Sequence, residues 1–167
     1  ATQLDGAVIV LWAVPFMAEN AAILHPTRTV LLAESTAGCP LADMIDADDL
    51  KEWKRRYPKA TVVCYVNTTA AVKAESDVCC TSANAVKVVE AMPGDEILFI
   101  PDQNLGHYVS TKTKKKVIPY PGYCITHARL NAKQVLAAKG AHPDAKVVVH
   151  PECTAEVILL ADAVLST

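Results

Sequence analysis

Two cysteines, Cys39 and Cys124, have the clearest potential for chemistry, and they lie 85 positions apart. Each is expected in a loop near the start of a helix, where the partial positive charge of the helix N-terminus favours the thiolate. Thiolates are ligands for soft metal centres. Two cysteines do not fill a tetrahedral zinc site, and the sequence lacks Cys-x-x-Cys spacing. An iron–sulfur cluster therefore fits the pair better than zinc.

The same offset of 85 relates other parts of the chain, and no gap is needed to align them. A cysteine taken alone is usually an unremarkable loop residue, but recurrence in register indicates a shared site. Repeated α/β units present the carboxyl ends of their strands at a common face, where a ligand would bind. The paired polar positions are Tyr65 and His150, Asn67 and Glu152, Asp77 and Asp162, and Ser82 and Thr167.

The segment His150-Pro151-Glu152 places an imidazole and a carboxylate two residues apart on extended backbone. The two groups could act as acid and base at one site if the proline turns both of them inward. Tyr65 and Asn67, just past the end of a strand, could contact a small polar substrate or be satisfied loop residues. His127, three residues after Cys124, could bind substrate or cluster, or face solvent on a helix.

Short apolar segments alternate with helical patterns along the chain, which predicts an α/β protein with parallel sheets. The first segment, at 7–12, is apolar throughout and is expected to be a strand buried on both faces. Ser82 and Thr167 are expected at matched helix starts, where they either bind a carboxylate or phosphate or simply cap the helix. Further strands are expected at 29–33, 61–66, 78–80, 96–100, 117–118, 147–149 and 163–165, and helices at 16–24, 48–56, 69–75, 82–92, 103–111, 131–139 and 154–160.

The composition is that of a well-cored soluble protein, with 167 residues, 51% hydrophobic and 20% charged. A formal net charge of −2 and an aromatic content of 5% argue against nucleic-acid binding. No apolar run reaches the length of a membrane span, and a basic secretory signal is absent, so a cytoplasmic location is expected. The six cysteines then indicate a reduced compartment, in which Cys64 and Cys79, within apolar strands, are expected to be buried and inert.

Six longer motifs extend over nearly the whole chain. They are Ala37-Gly38-Cys39-Pro40-Leu41-Ala42-Asp43-Met44, Val63-Cys64-Tyr65-Val66-Asn67, the segment from Lys73 to Val86, Pro101-Asp102-Gln103-Asn104-Leu105-Gly106, Pro121-Gly122-Tyr123-Cys124 and Val149-His150-Pro151-Glu152-Cys153. Together they resemble the quinolinate synthase family, type A, whose members make the pyridine ring of NAD.

The resemblance implies a fold of repeated three-layer αβα domains with parallel sheets, in a pseudo-threefold arrangement around a [4Fe-4S] cluster. The 85-residue offset would then be a domain repeat. Residues 1–36 would form the C-terminal part of a first domain, 37–120 a complete middle domain and 121–167 the N-terminal part of a third. The chain is therefore expected to be truncated at both ends.

The matched motifs imply that Cys39 and Cys124 are two of three cysteine ligands of the cluster. Glu152 and His150 are expected to transfer protons, with Tyr65 assisting. The implied substrate-binding positions are Tyr65, Val66, Asn67, Ser82, His127, His150, Pro151, Glu152 and Thr167.

The implied reaction condenses iminoaspartate with dihydroxyacetone phosphate to quinolinate, with loss of phosphate and two waters and with the cluster as Lewis acid. The resemblance also implies functional coupling to L-aspartate oxidase. It implies binding neither to nucleic acid nor to a membrane. The family's third cluster cysteine and its N-terminal substrate histidine, tyrosine and serine have no counterparts in these 167 residues, so the isolated chain is expected to be inactive.

Two alternatives come from different functional classes. One is a non-catalytic α/β fragment, or a module that binds a small dicarboxylate without the cluster. The other is a hydrolase with a cysteine nucleophile, which is disfavoured because neither loop cysteine has an evident histidine and acid at its own site.

Overall fold

The computed structural model describes residues 6–166, so the expected roles of Thr167 lie outside the described residues. Strands and helices alternate along the chain, as the sequence predicts. The strands are β1 (Val8–Leu11), β2 (Thr29–Leu32), β3 (Thr61–Tyr65), β4 (Val78–Cys80), β5 (Glu96–Ile100), β6 (Lys116–Pro119), β7 (Val148–Val149) and β8 (Ala163–Val164). The helices are α1 (Pro15–Leu24), α2 (Ala47–Arg56), α3 (Ala70–Ala74), α4 (Ala85–Ala91), α5 (Gln103–Ser110), α6 (Ile125–Ala128), α7 (Ala132–Ala141) and α8 (Ala155–Ile158).

All strand pairs in the described part of the chain are parallel, which confirms the α/β class. The central sheet has the order β4-β3-β5-β6, while β1 pairs with β2 and β7 pairs with β8. In the central sheet Cys64 stands opposite both Cys79 of β4 and Ile100 of β5. Among the described residues, none of the helices has the length and apolar character needed to cross a membrane.

The two faces of the central sheet bury separate sets of side chains, because successive residues of a strand point to opposite sides. Val63 and Phe99 face helices α4 and α5, in what we call the α4/α5 core. Val62 and Leu98 face α2 and α3 on the other side, against Leu50 of α2. All five side chains are fully buried. Helices on both faces thus explain why β3 and β5 are continuously apolar after their first residues, Thr61 and Glu96.

The expectation that the first strand is buried on both faces is wrong. Val8 and Val10 of β1 are 53% and 55% exposed, and Leu31 of the paired β2 is 50% exposed. Within residues 6–166, helix α1 packs against this pair of strands and leaves the alternate side chains uncovered. An apolar strand is buried on both faces only where elements cover both, and the described residues supply one.

The 85-residue repeat of the sequence is also a repeat of structure. Helices α2 and α7 occupy matched positions, and each begins with a capping box, at Asp46 and Asn131. Asp77 accepts a hydrogen bond from the backbone of β3 at 2.8 Å, and Asp162 accepts the matched bond at 2.9 Å. Equal local contacts at equal offsets indicate one structural unit used twice. The domain boundaries at 36 and 120 stay a prediction.

Candidate functional site

The loops that carry the two cysteines differ in local structure. Cys124 is the N-cap residue of the four-residue helix α6, close to the expected position. Cys39 is followed by a 3₁₀ turn, Ala42–Met44, and the α-helix expected directly after it is absent from this part of the described chain. The next α-helix is α2, expected at 48–56, and its cap is Asp46, whose carboxylate accepts hydrogen bonds from the N–H groups of Asp48 and Asp49.

Contacts between the two loops nevertheless place the cysteines at the same end of the central sheet. The backbone N–H of Tyr123 contacts the Met44 sulfur at 3.2 Å, which joins the loop of Cys124 to the loop of Cys39. Both thiols are half-buried, and both pack against the α4/α5 core. The structure therefore brings together two loops that are 85 residues apart.

Beside Cys124 lies a cluster of ionisable side chains. The Nδ1 atom of His127 is 3.1 Å from the Cys124 sulfur and 2.7 Å from Oε2 of Glu152. One ligand atom from each of these residues lies within 4.8 Å of the others. Cys39 is outside this group. The reason given above against a cysteine nucleophile is thus wrong for Cys124, which does have a histidine and an acid at its own site.

His150 joins the cluster from the loop after β7. Its ring stacks on the His127 ring with centroids 4.7 Å apart, and its Nδ1 accepts the backbone N–H of Glu152 at 3.2 Å. With Nδ1 engaged as acceptor, the neutral ring carries its proton on Nε2, which lies 3.1 Å from the Ser82 hydroxyl. The segment 150–152 does turn both groups inward, since the side chains of His150 and Glu152 are 13% and 3% exposed.

Burial controls the protonation states of the site. It raises the pKa of the Cys124 thiol, and the negative charge of Glu152 acts in the same direction. The expectation that a helix N-terminus favours the Cys124 thiolate is therefore wrong in the absence of a bound cation, because desolvation outweighs the contacts at the start of α6. Burial also lowers the pKa of His150 and, with Glu152, raises that of the Tyr65 hydroxyl well above its ordinary value.

Ser82 does not cap a helix, contrary to the expectation from sequence. The N-cap of α4 is Asn84, and the Ser82 hydroxyl instead contacts His150 from the other copy of the repeat. Val66 and Asn67 lie half-buried in the loop after β3, and Pro151 is buried beside Ser82 along a cavity of about 240 Å³. Tyr65, Ser82, His127, His150 and Glu152 are thus drawn together by contacts.

Cys79 also departs from expectation. Cys64 is fully buried, but Cys79 on the edge strand β4 is exposed. A shared hydrogen bond with Cys64 lowers the pKa of Cys79 to about 6, with help from the nearby Lys73 ammonium. An apolar strand sequence did not show which of its residues lie at the sheet edge.

One residue of the site was missed by the sequence reasoning. Asp102 is fully buried, and its Oδ2 accepts the backbone N–H of Cys124 at 2.9 Å. Burial raises the pKa of Asp102 to about 6. The hydrogen bonds from the N–H groups of Leu105 and Cys124 act in the opposite direction, because they favour the charged carboxylate. The signal in the sequence was a charged residue directly after an apolar strand and before a helix.

The side chains around Cys39 and Cys124 are of the types that hold an iron–sulfur cluster. Two half-buried thiols on linked loops are the soft ligands that such clusters take. The second carboxylate oxygen of Glu152, Oε1, is buried, and no residue in the described part of the chain donates a hydrogen bond to it. An unpaired buried carboxylate oxygen next to a thiol is costly unless a cation or a proton donor approaches it. The residues present fit the cluster.

Comparison with known proteins identifies the family of the chain. A family model described as quinolinate synthetase A protein matches residues 1–167. The chain is 59% identical over 167 residues to the quinolinate synthase of Dehalococcoides mccartyi strain 195 and 55% identical over 167 residues to that of Methanoregula boonei. It is 55% identical over 168 residues to that of Thermodesulfovibrio yellowstonii. Each alignment covers 100% of this chain and 55% of the relative, so the chain spans about half the length of the curated relatives it matches. The chain belongs to the quinolinate synthetase A family.

Proposed function

We propose that the chain is part of a quinolinate synthase of NAD biosynthesis, which condenses iminoaspartate with dihydroxyacetone phosphate. The observation that carries the proposal is the buried Glu152 carboxylate. One of its oxygens lies 2.7 Å from His127, and the other has no partner among the described residues. That free oxygen, next to the Cys124 thiol, is a place for a reacting group or a cation.

Cys39 and Cys124 would hold a [4Fe-4S] cluster, with a third ligand from outside residues 1–167. When bound, the cluster would supply a Lewis acid for a carbonyl, hydroxyl or carboxylate oxygen of the substrate. The thiol of Cys124 must lose its proton on binding. The Nδ1–H of His127, which lies between Oε2 of Glu152 at 2.7 Å and the sulfur at 3.1 Å, would then donate to the thiolate.

The remaining side chains supply proton transfer and orientation. Burial lowers the pKa of His150, so its ring is neutral at pH 7 and offers an N–H at Nε2 beside the Ser82 hydroxyl. Tyr65 stays protonated, because burial and Glu152 raise its pKa, and its hydroxyl is a donor for a substrate oxygen. Glu152 is the base of the group, since its free oxygen can receive a proton while the other stays paired.

The cavity of about 240 Å³ beside Ser82 and Pro151, which Tyr108 and Val164 also line, would admit the phosphate group of a substrate. Ser82 would hold carboxylate or phosphate oxygens there, and Val66 and Asn67 would contact the substrate from the loop after β3. Thr167 would take the matching position in the second copy of the repeat. These substrate contacts follow from family membership and from the matched offsets.

The whole enzyme would consist of three-layer αβα domains in a pseudo-threefold arrangement, with boundaries at 36 and 120 in this chain. The repeated helices α2 and α7 and the repeated Asp77 and Asp162 contacts support this division. L-aspartate oxidase is the proposed functional partner, because it would supply iminoaspartate. The cytoplasmic location stays a prediction.

The test replaces Glu152 by glutamine in the intact synthase that contains this chain. Loss of an acid–base group is expected to lower kcat by about 10²- to 10⁴-fold, with the visible absorbance of the cluster unchanged. The matched control is Glu156→Gln, which makes the same substitution on the exposed side of α8 and is expected to leave kcat unchanged. Wild-type kcat in Glu152→Gln would remove Glu152 from the chemistry. A colourless wild-type protein that still binds a dicarboxylate would favour the binding module instead.

A further inference from the structure

Asp102 is a fully buried carboxylate that serves two separate elements. It follows β5 and caps helix α5, where its Oδ1 accepts the N–H of Leu105 at 2.8 Å. Its other oxygen, Oδ2, accepts the N–H of Cys124 at 2.9 Å, across 22 positions of sequence. Both oxygens are therefore engaged, each by a different part of the chain.

Helix capping alone does not require this arrangement. Asp46 caps α2 from an exposed position, with one oxygen that accepts N–H groups from its own helix. Burial of a carboxylate is costly, and a cap contributes only about 1 kcal/mol. The buried position and the second bond of Asp102 thus need another explanation, and the atom at the end of that bond belongs to Cys124.

The backbone around Asp102 holds the cysteine loop against the end of β5. Asp102 and Gly122 form an isolated parallel bridge, and the N–H of Gln103 donates to the Gly122 carbonyl at 2.8 Å. Cys124 stands at the N-cap of α6, where its own N–H has no place in the helix and would otherwise need water. Asp102 supplies that acceptor and fixes the backbone from which the thiol projects.

We propose that Asp102 is a positioning residue, which holds the Cys124 backbone so that the thiol points toward His127 and Glu152. The proposal rests on the proposed function only in that Cys124 is taken as a cluster ligand. Groups that orient a metal ligand typically change metal affinity by about 10- to 100-fold when they are replaced. Asp102 is therefore a determinant of cluster retention that touches neither cluster nor substrate.

Three substitutions in the intact synthase test the proposal. In Asp102→Asn the amide can accept one of the two N–H groups but presents its own NH₂ to the other. In Asp102→Ser the hydroxyl can still cap α5 but is too short to reach the Cys124 N–H as well. Asp46→Asn makes the same acid-to-amide change at the exposed cap of α2, which hydrogen-bonds within its own helix.

Two readouts separate positioning from simple loss of stability. The first is the rate of iron release to a chelator after anaerobic reconstitution, which is expected to rise about 10- to 100-fold in both Asp102 variants and to stay at the wild-type value in Asp46→Asn. The second is alkylation of the cluster-free protein by iodoacetamide, measured by peptide mass spectrometry. Cys124 is expected to react at least about fivefold faster in the Asp102 variants than in wild type, with Cys39 unchanged, because the half-buried thiol is released from its site.

Wild-type iron release together with wild-type Cys124 alkylation in Asp102→Ser would overturn the proposal. If Asp102→Asn does not fold, Asp102→Ser decides, because it keeps the cap. A wild-type synthase that takes up no cluster would refute the proposed function, whereas the alkylation of the cluster-free variants would still judge the role of Asp102.

Discussion

Replacement of Gly122 by alanine is expected to destabilise the protein for a steric reason that the structure defines. A Cβ at this position would lie 2.5 Å from the Pro101 carbonyl oxygen and 3.4 Å from Cβ of Met44. The first distance is well inside van der Waals contact, and the obstacle is backbone. Pro101 cannot easily retreat, because the next residue, Asp102, is bridged to Gly122 itself.

The magnitude follows from two contributions. Insertion of a methyl group into a well-packed site costs about 1–3 kcal/mol. Separation of the two segments would also break the hydrogen bond from Gln103 N–H to the Gly122 carbonyl, which is 2.8 Å long, at about 1 kcal/mol. The free energy of unfolding is therefore expected to fall by about 2–4 kcal/mol in Gly122→Ala. Gly140→Ala is the matched control, since nothing lies within 4 Å of its added Cβ.

The assay is urea denaturation of the purified proteins followed by far-ultraviolet circular dichroism. Gly140 lies in helix α7, where alanine is favoured over glycine by about 0.5–1 kcal/mol, so the control should move the midpoint to higher urea. The two substitutions add the same methyl group and are expected to act with opposite sign. A wild-type midpoint for Gly122→Ala, or a shift of both variants in one direction, would refute the steric reasoning.

Three further results are expected. Leu98→Ala, at a fully buried position of β5, should lower the free energy of unfolding by about 2–5 kcal/mol in the same urea assay, and a loss below about 1 kcal/mol would contradict close packing there. The alkylation rate of Cys79 should rise with pH with a midpoint near pH 6, because Cys64 lowers the pKa of Cys79 to about 6 and the thiolate is lost below that pH. Burial raises the pKa of Cys80 to about 12, so equal pH profiles for the two thiols would contradict this prediction. Glu19→Ala should cost about 1–2 kcal/mol in the urea assay, since the Glu19 carboxylate accepts an N–H at the start of α3 at 2.8 Å, and unchanged stability would show that water replaces it.

The sequence predicted the central sheet well because its pattern has a local cause. β3 and β5 are apolar after their first residues, Thr61 and Glu96, and both are covered by helices on each face. The same pattern misled at β1, where Val8 and Val10 remain about half exposed within the described residues. An apolar run indicates that a strand can be buried, but whether both of its faces are covered depends on which elements pack against it in the tertiary structure.

Helix starts and thiol states were less predictable, because each depends on competition between groups. Pro40 suits a first helical turn, but the segment after Cys39 forms only the 3₁₀ turn Ala42–Met44, and the next α-helix begins after its cap at Asp46, close to the expected position. Cys124 does stand at a helix start, yet burial and Glu152 raise its pKa. Neither outcome is visible in the residue types alone, since both require distances between side chains.

The two cysteines are equivalent by offset, but the structure makes them chemically unequal. His127, which contacts the Cys124 sulfur, corresponds to the buried Ala42 in the first copy of the repeat. Glu152, likewise, corresponds to Asn67. The second copy of the repeat therefore supplies the two histidines and Glu152, while the first contributes the hydroxyl groups of Tyr65 and Ser82 together with the Asp102 carboxylate. Because the two copies of the repeat differ in these side chains, a site where they meet has proton-transfer groups from one copy and orienting groups from the other.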